Sequence, residues 1–266
     1  MAEKFNHGRS KMISSYGGVG SVIDTPDASI IVETFDNWGY PNYYDQEIKK
    51  HIILDDRLIN RLRVRFPRLK HLVSIPVEED GWKTDVQPQA NYFPKWFYCP
   101  RCKRFMSLKQ WKDHWQGRQE FDLQCFNPEC KGEHLEQIRF VMTCDDGHIQ
   151  DLPWEYWNNR EAIIEQGNDS GEDNEQESEY KIKLKYEKCC SKQELYYTVS
   201  QENTDLSGIH IKCKNCGKSE TLKGIFGFSQ KCGGRKYWLG FQNGQYIGDS
   251  CEQKVAVKIK TSNSIY

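Results

Sequence analysis

Apolar residues along this chain come in short runs divided by polar turns. Residues 19–23 and 29–35 have strand-like density, and Thr25-Pro26-Asp27-Ala28 between them is a turn by its Pro-Asp pair. Further on, residues 182–186, 195–199, 209–211 and 255–259 alternate apolar with polar, which predicts half-buried strands. In the last of these, Lys254, Lys258 and Lys260 fall opposite Val255, Val257 and Ile259. Helical spacing occurs over residues 54–66, where Leu58, Leu62 and Phe66 recur, Asp55 or Asp56 can cap and Pro67 stops the run. Short helices are also predicted over residues 107–115 and 152–166, the second with Trp154, Trp157 and Ile163 or Ile164 facing inward. Residues 69–85 read as a polar connection.

Strands and helices do not alternate regularly, so a doubly wound parallel sheet is not expected. The pattern predicts an α+β fold of short antiparallel strands and a few helices. An acidic stretch over residues 166–179 cannot bury a core and reads as a disordered loop. It divides the chain into an N-terminal region, 1–165, and a β-rich region, 181–266, with residues 166–180 as the loop between them.

Composition changes this picture in one respect. Only 37% of the 266 residues are hydrophobic, and mean hydropathy is −0.81. A small core needs help, and a metal is one form of it. The formal net charge of −1 gives no prior for nucleic acid or membrane, so local clusters must carry that argument. One such cluster is Arg57, Arg61 and Arg65, with Arg68 beyond, beside the apolar stripe of the 54–66 helix. The plain reading is a solvated face; the sharper one is phosphate contact, which the planar guanidinium suits. Lys258 joins them as a candidate nucleic-acid contact. The opening is polar, with no signal peptide, and no apolar run reaches membrane length, so a cytoplasmic protein is expected.

There are eleven cysteines, an odd number, which argues against a complete disulfide framework. In a reducing compartment, Cys-x-x-Cys pairs are metal ligands more often than disulfides. Cys99 and Cys102 form one pair, and Cys125 and Cys130 complete a predicted tetrahedral zinc shell. His114 and His134 lie near in sequence, but four sulfurs already close that shell. A second shell is predicted from Cys213, Cys216, Cys232 and Cys251, with Cys189 or Cys190 able to displace Cys251. Adjacent cysteines enter one shell together with difficulty. Two zinc ions are therefore expected. Cys144 and His148 are left as a buried thiol and a turn histidine, or as part of a third site with Cys189 or Cys190.

No catalytic signature accompanies these cysteines. Closed four-sulfur shells leave no position for a substrate. The deaminase signature is not met, since Pro100 lies inside the Cys99–Cys102 pair and no His-x-Glu precedes it, and Gly217-Lys218-Ser219 lacks the first glycine of a P-loop. Gly17, Gly18 and Gly20 read as a tight turn rather than a phosphate cradle. No catalytic residue is expected.

Taken in order, several of these segments resemble one family. They are Arg9-Ser10 through Tyr16-Gly17-Gly18-Val19-Gly20-Ser21-Val22-Ile23-Asp24, Ser29-Ile30-Ile31-Val32 with Asp36-Asn37-Trp38, and Phe97-Tyr98-Cys99-Pro100-Arg101-Cys102. Arg139-Phe140 through Cys144-Asp145-Asp146-Gly147-His148, Asp151-Leu152-Pro153-Trp154, Cys232-Gly233-Gly234-Arg235-Lys236-Tyr237-Trp238-Leu239 and Ser262-Asn263-Ser264-Ile265-Tyr266 follow. Over nearly its whole length the chain is similar to the N-terminal part of the DrmB family, a component of the DISARM antiphage defence system. The resemblance implies work on DNA beside a DrmA-like helicase partner. Longer members continue into a further zinc-binding domain, so this chain is expected to be a short or split relative. Two further readings stand beside the defence-complex scaffold. One is a stand-alone nucleic-acid-binding zinc protein, and the other an enzyme built on Cys144, His148 and Asp151.

Overall fold

The structure, a computed structural model, describes residues 17–39, 49, 51–74, 88–115, 122–165, 179–200, 203, 205–242 and 245–261. Residues 166–178 of the acidic stretch, the Arg9-Ser10 opening and the closing Ser262–Tyr266 motif lie outside them. Phe140–Thr143 shows how the chain builds its centre. Its apolar run is buried on both faces: Phe140 and Met142 enter the largest core cluster, while Val141 packs with Val22, Ile31, Phe93, Ile149 and Tyr237. A strand sandwiched in this way needs no polar alternation.

That strand belongs to a four-stranded antiparallel sheet with Ile149–Gln150, Lys254–Ile259 and Ser229–Lys231. A six-stranded antiparallel sheet runs, edge to edge, through Ser219–Thr221, Ile209–Cys213, Leu195–Val199, Arg104–Ser107, Trp96–Tyr98 and Glu136–Gln137. Both sheets mix strands from before and after the acidic stretch: Leu195 sits opposite Phe105, and Val257 opposite Met142. The two regions read from the sequence are thus interleaved. Between the sheets lies an aromatic core, with Phe105 edge-on to Trp154 at 5.6 Å, Trp154 against Trp157 at 5.8 Å and Trp157 edge-on to Phe228 at 6.0 Å.

The helices are short. Asp56–Arg63 is capped by Asp55, whose carboxylate accepts from the Leu58 amide at 2.9 Å. Leu108–His114 begins on a capping box of Ser107 and Gln110. The helix expected over residues 152–166 is corrected. One turn, Trp154–Trp157, is helical, and Arg160–Glu165 is a strand paired with Glu179–Leu184. A partner strand beyond the acidic stretch supplies hydrogen bonds that local periodicity cannot foresee. The expected strands at 182–186, 195–199, 209–211 and 255–259 all appear, 195–199 at its expected bounds and the others with shifted ends. No helix among the described residues is long and apolar enough to cross a membrane.

Candidate metal centres

Three of the candidate metal-ligating turns are tips of β-hairpins. After Trp96–Tyr98 the chain passes Cys99 and Cys102 and returns as Arg104–Ser107, with the Cys99 amide donating to the Arg104 carbonyl at 3.0 Å. After Ile209–Cys213 it passes Cys216 and returns as Ser219–Thr221, with the Cys213 amide donating to Lys218 at 2.8 Å. In both, the residue after the second cysteine is left-handed: Lys103 at φ 64° and Gly217 at φ 76°. Its amide closes the turn on the first cysteine's carbonyl, at 2.8 and 2.9 Å. The Cys144-to-His148 tip joins Phe140–Thr143 to Ile149–Gln150 and turns through Gly147 at φ 79°. Left-handed backbone at these points lets a tight turn present both ligands to one side.

A tip supplies two of the four side chains that could form a metal shell. The other two come from elsewhere, and the described residues form three groups of four whose ligand atoms all lie within 4.8 Å of one another. These groups could hold metal ions. The first is Cys99, Cys102, Cys125 and Cys130, the set expected from the sequence. Cys99 and Cys130 sulfurs are 3.7 Å apart, and those of Cys102 and Cys125 3.8 Å. Asn127-Pro128 starts the turn that delivers Cys130. The group sits in its own core cluster with Phe97, Leu108, Trp111, Leu123 and Leu135. His114 instead bonds the Gln110 carbonyl at 2.8 Å and stacks on Phe126.

The second expected set does not form. Cys213 and Cys216 are grouped with Cys189 and Cys190, while Cys232 and Cys251 are grouped with Cys144 and His148. The reason is sheet pairing. Cys232 ends the Ser229–Lys231 strand and Cys251 lies just before Lys254–Ile259, which pairs with Phe140–Thr143, the strand carrying the Cys144 tip. His148 is therefore no turn cap. Its Nδ1 lies 3.3 Å from Cys144 Sγ, and its Nε2 2.6 Å from Asp249 Oδ1. Cys144 and Cys232 sulfurs are 3.7 Å apart, and Cys251 Sγ is 3.3 Å from an Asp146 oxygen.

In the third group the adjacent Cys189 and Cys190 both take part, against expectation. Cys190 and Cys213 sulfurs are 3.7 Å apart. Cys189 Sγ accepts from the Asn158 side-chain amide at 3.2 Å and from Gln193 at 3.3 Å. The turn at 186–192 carries both cysteines toward the hairpin tip, with the Lys214 amide held on the Glu194 carbonyl at 2.9 Å. One signal for the twelfth ligand was present in the sequence: eleven cysteines fill three shells only if one histidine joins them.

Electrostatics within the groups is divided. Burial pushes Cys130 up to about 11 and raises Cys125 as well. Burial also acts on Cys213, but backbone hydrogen bonds from Cys216, Glu194 and Asn215 outweigh it and bring the thiol down to about 6. Several thiolates cannot share so small a volume without a countercharge. A divalent cation is such a charge, and it deprotonates coordinating thiols outright.

Outside the cysteine groups, a part-buried polar cluster gathers at Asp151, Lys95 and Tyr237. Asp151 accepts from the Lys95 amide at 2.8 Å and faces Tyr237 OH at 3.5 Å. Burial lifts its carboxyl to about 6 and lowers the Lys95 ammonium to about 8. Asp151 does not touch His148; Asp249 is the acid there.

The nucleic-acid candidates divide as well. Arg57, Arg61, Arg65 and Arg68 are all exposed, around a helix whose apolar face buries only Ile59. Arg63 is committed locally, donating to the Leu69 carbonyl at 2.9 Å. The Lys254–Ile259 strand, by contrast, is central in its sheet. Lys258 is half-buried there, and Lys260 is held by Asp24 at 3.2 Å and Gln137 at 3.3 Å. Of the three lysines on that face, Lys254 is exposed and Lys260 is tied down.

A profile of the family described as "Domain of unknown function (DUF8724)" matches residues 8–266. The chain belongs to the DUF8724 family. A search of curated proteins returned no match. The family match takes in all three cysteine groups and the arginine helix.

Proposed function

We propose that this DUF8724 protein is a non-enzymatic binding module held together by three structural zinc ions. The observation that carries the reading is the spacing of the ligand atoms. Zinc–sulfur bonds of about 2.3 Å arranged tetrahedrally give sulfur–sulfur edges of about 3.8 Å. The separations of 3.7 and 3.8 Å in the first group, 3.7 Å in the second and 3.7 Å in the third match that edge. A disulfide needs about 2.05 Å. Each group already offers four protein ligands, so zinc would be closed in and hold strands rather than activate water. Asp249 on the far nitrogen of His148 fits a carboxylate orienting a zinc-bound imidazole.

On this reading the exposed face is what works. The resemblance to the DrmB family supports a place in a DISARM-like antiviral complex, beside a DrmA-like helicase, with DNA contacted through Arg57, Arg61 and Arg65. Elemental analysis of the purified chain should give about three zinc ions, and chelation should unfold it. Zinc-free protein that keeps its fold after chelation would sink the proposal. DNA affinity should fall steeply with salt and drop with Arg61→Ala.

One observation favours a second reading. Cys144, His148 and Asp249 line up as nucleophile, base and orienter. Against it, Cys144 and His148 are 9% and 5% exposed, and Cys232 and Cys251 crowd the same sulfur. A thiol-directed alkylating agent that labels Cys144 selectively in metal-replete protein would favour the nucleophile.

A further inference from the structure

The three groups share one ligand geometry but differ in access. The second group's ligands are all buried, and in the first group only Cys102 is not fully buried. In the third, Cys213 alone is buried, Cys189 and Cys190 are half-buried, and Cys216 is exposed. Residues 214–219 around Cys216 are exposed without interruption. A Cβ at Gly217 would meet nothing within 4 Å, so the space beside the tip is open. Thiolate oxidation follows access as well as ionisation.

Resting on the metal-binding reading above, we propose that the third group is an oxidative modification site. A hydroperoxide oxidises Cys216, Cys213 closes a disulfide with it, and that group alone releases its metal. In the first step the Cys216 thiolate attacks the O–O bond. One oxygen stays on sulfur as a sulfenic acid; the other leaves with its substituent and takes a proton from water. In the second step the Cys213 thiolate attacks the sulfenic sulfur. An S–S bond forms, the S–O bond breaks, and hydroxide leaves to be protonated. Two thiolates together give up two electrons, and the peroxide accepts them. The metal then keeps only Cys189 and Cys190 and dissociates.

Position in the fold confines the consequence. Ser219–Thr221 is an edge strand of the six-stranded sheet, and Cys213 and Cys216 form the tip that joins it to Ile209–Cys213. Oxidation would free this edge, and with it the amide pair Asn158 and Gln193 on Cys189, while the first two groups keep the core. A thiol reductant and zinc would restore it. The device makes one edge of the module responsive to peroxide without unfolding the rest.

The test uses the full chain, titrated with hydrogen peroxide. A chromophoric chelator follows metal release, and mass spectrometry maps disulfides after alkylation. The expected result is one metal equivalent released at least about tenfold faster than the rest, with Cys213 joined to Cys216 and recovery on reduction. Parallel release from all groups, or first oxidation at Cys102 or Cys144, overturns the proposal. Protein that carries no metal at the outset defeats the metal reading instead. On that same protein, the disulfide map still decides whether Cys216 and Cys213 react first.

Discussion

The first and third groups begin from the same hairpin tip and end in opposite surroundings. In the first, Cys99, Cys125 and Cys130 are 0–3% exposed and packed with Trp111 and Phe97. In the third, the tip stands at a sheet edge, and its second cysteine is exposed. The difference teaches that an identical Cys-x-x-Cys can be a core residue pair or a rim clasp, depending on what the sheet places over it. A buried ligand would couple a bound metal to the whole core; an exposed one would couple it to a single hairpin.

The largest effect that tests this contrast is ligand removal. Cys99→Ser should cost at least about 4 kcal/mol, because it opens a buried shell and leaves a polar group in the core. Cys216→Ser should cost far less and leave the main unfolding transition in place. Urea unfolding of both, followed by tryptophan fluorescence, compares them; equal losses would break the contrast.

Next comes the acid beside Lys95 and Tyr237. Burial raises folded Asp151 to about 6 from 3.8, so the folded state binds a proton more tightly than the unfolded one. Its contribution is present at low pH and is lost as pH rises through about 6. Asp151→Asn should therefore gain on the parent between pH 5 and 7.5, by about 1 to 2 kcal/mol. Lys95, Arg235, Tyr237 and Tyr246 face the carboxylate and its surroundings, and Lys95 begins to lose charge at the upper end. Paired denaturation curves at the two pH values read the gain; a constant difference would refute it.

The smallest effects sharpen the comparison at the tips. Gly217→Ala should cost about 1 kcal/mol through left-handed strain alone, since its Cβ meets no neighbour. Lys103→Gly, at the matching position of the first tip, relieves the same strain. It should be neutral or stabilising within about 0.5 kcal/mol, because glycine also frees the unfolded chain. Opposite signs in thermal unfolding would confirm that the two turns are equivalent.

Much of the local structure could be read from the residues. Asp55, one of two expected caps, does cap its helix, a helix does form within 107–115, and the alternation at 195–199 and 255–259 marks real strands. Cys99, Cys102, Cys125 and Cys130 were legible as one group because they are close in sequence and share a local cluster. The helix over 152–166 was not legible as a turn and a strand, because Arg160–Glu165 depends on Glu179–Leu184 across the acidic stretch. Lys258 does lie on the face opposite buried Val255 and Val257, but it is half-buried: alternation gives the face of a strand, not how open that face is.

By itself, the sequence marked most of the cysteines as candidate ligands and showed where the chain would turn to present the Cys-x-x-Cys pairs. Tip geometry is local, set by a few backbone angles at Lys103, Gly147 and Gly217. Only the tertiary structure decided which half-shell meets which. A metal takes any thiolates that stand at the tetrahedral edge, whatever their separation along the chain. Here the pairing of Lys254–Ile259 with Phe140–Thr143 brings Cys232 and Cys251 to Cys144 and His148, and leaves the Cys213 tip to Cys189 and Cys190.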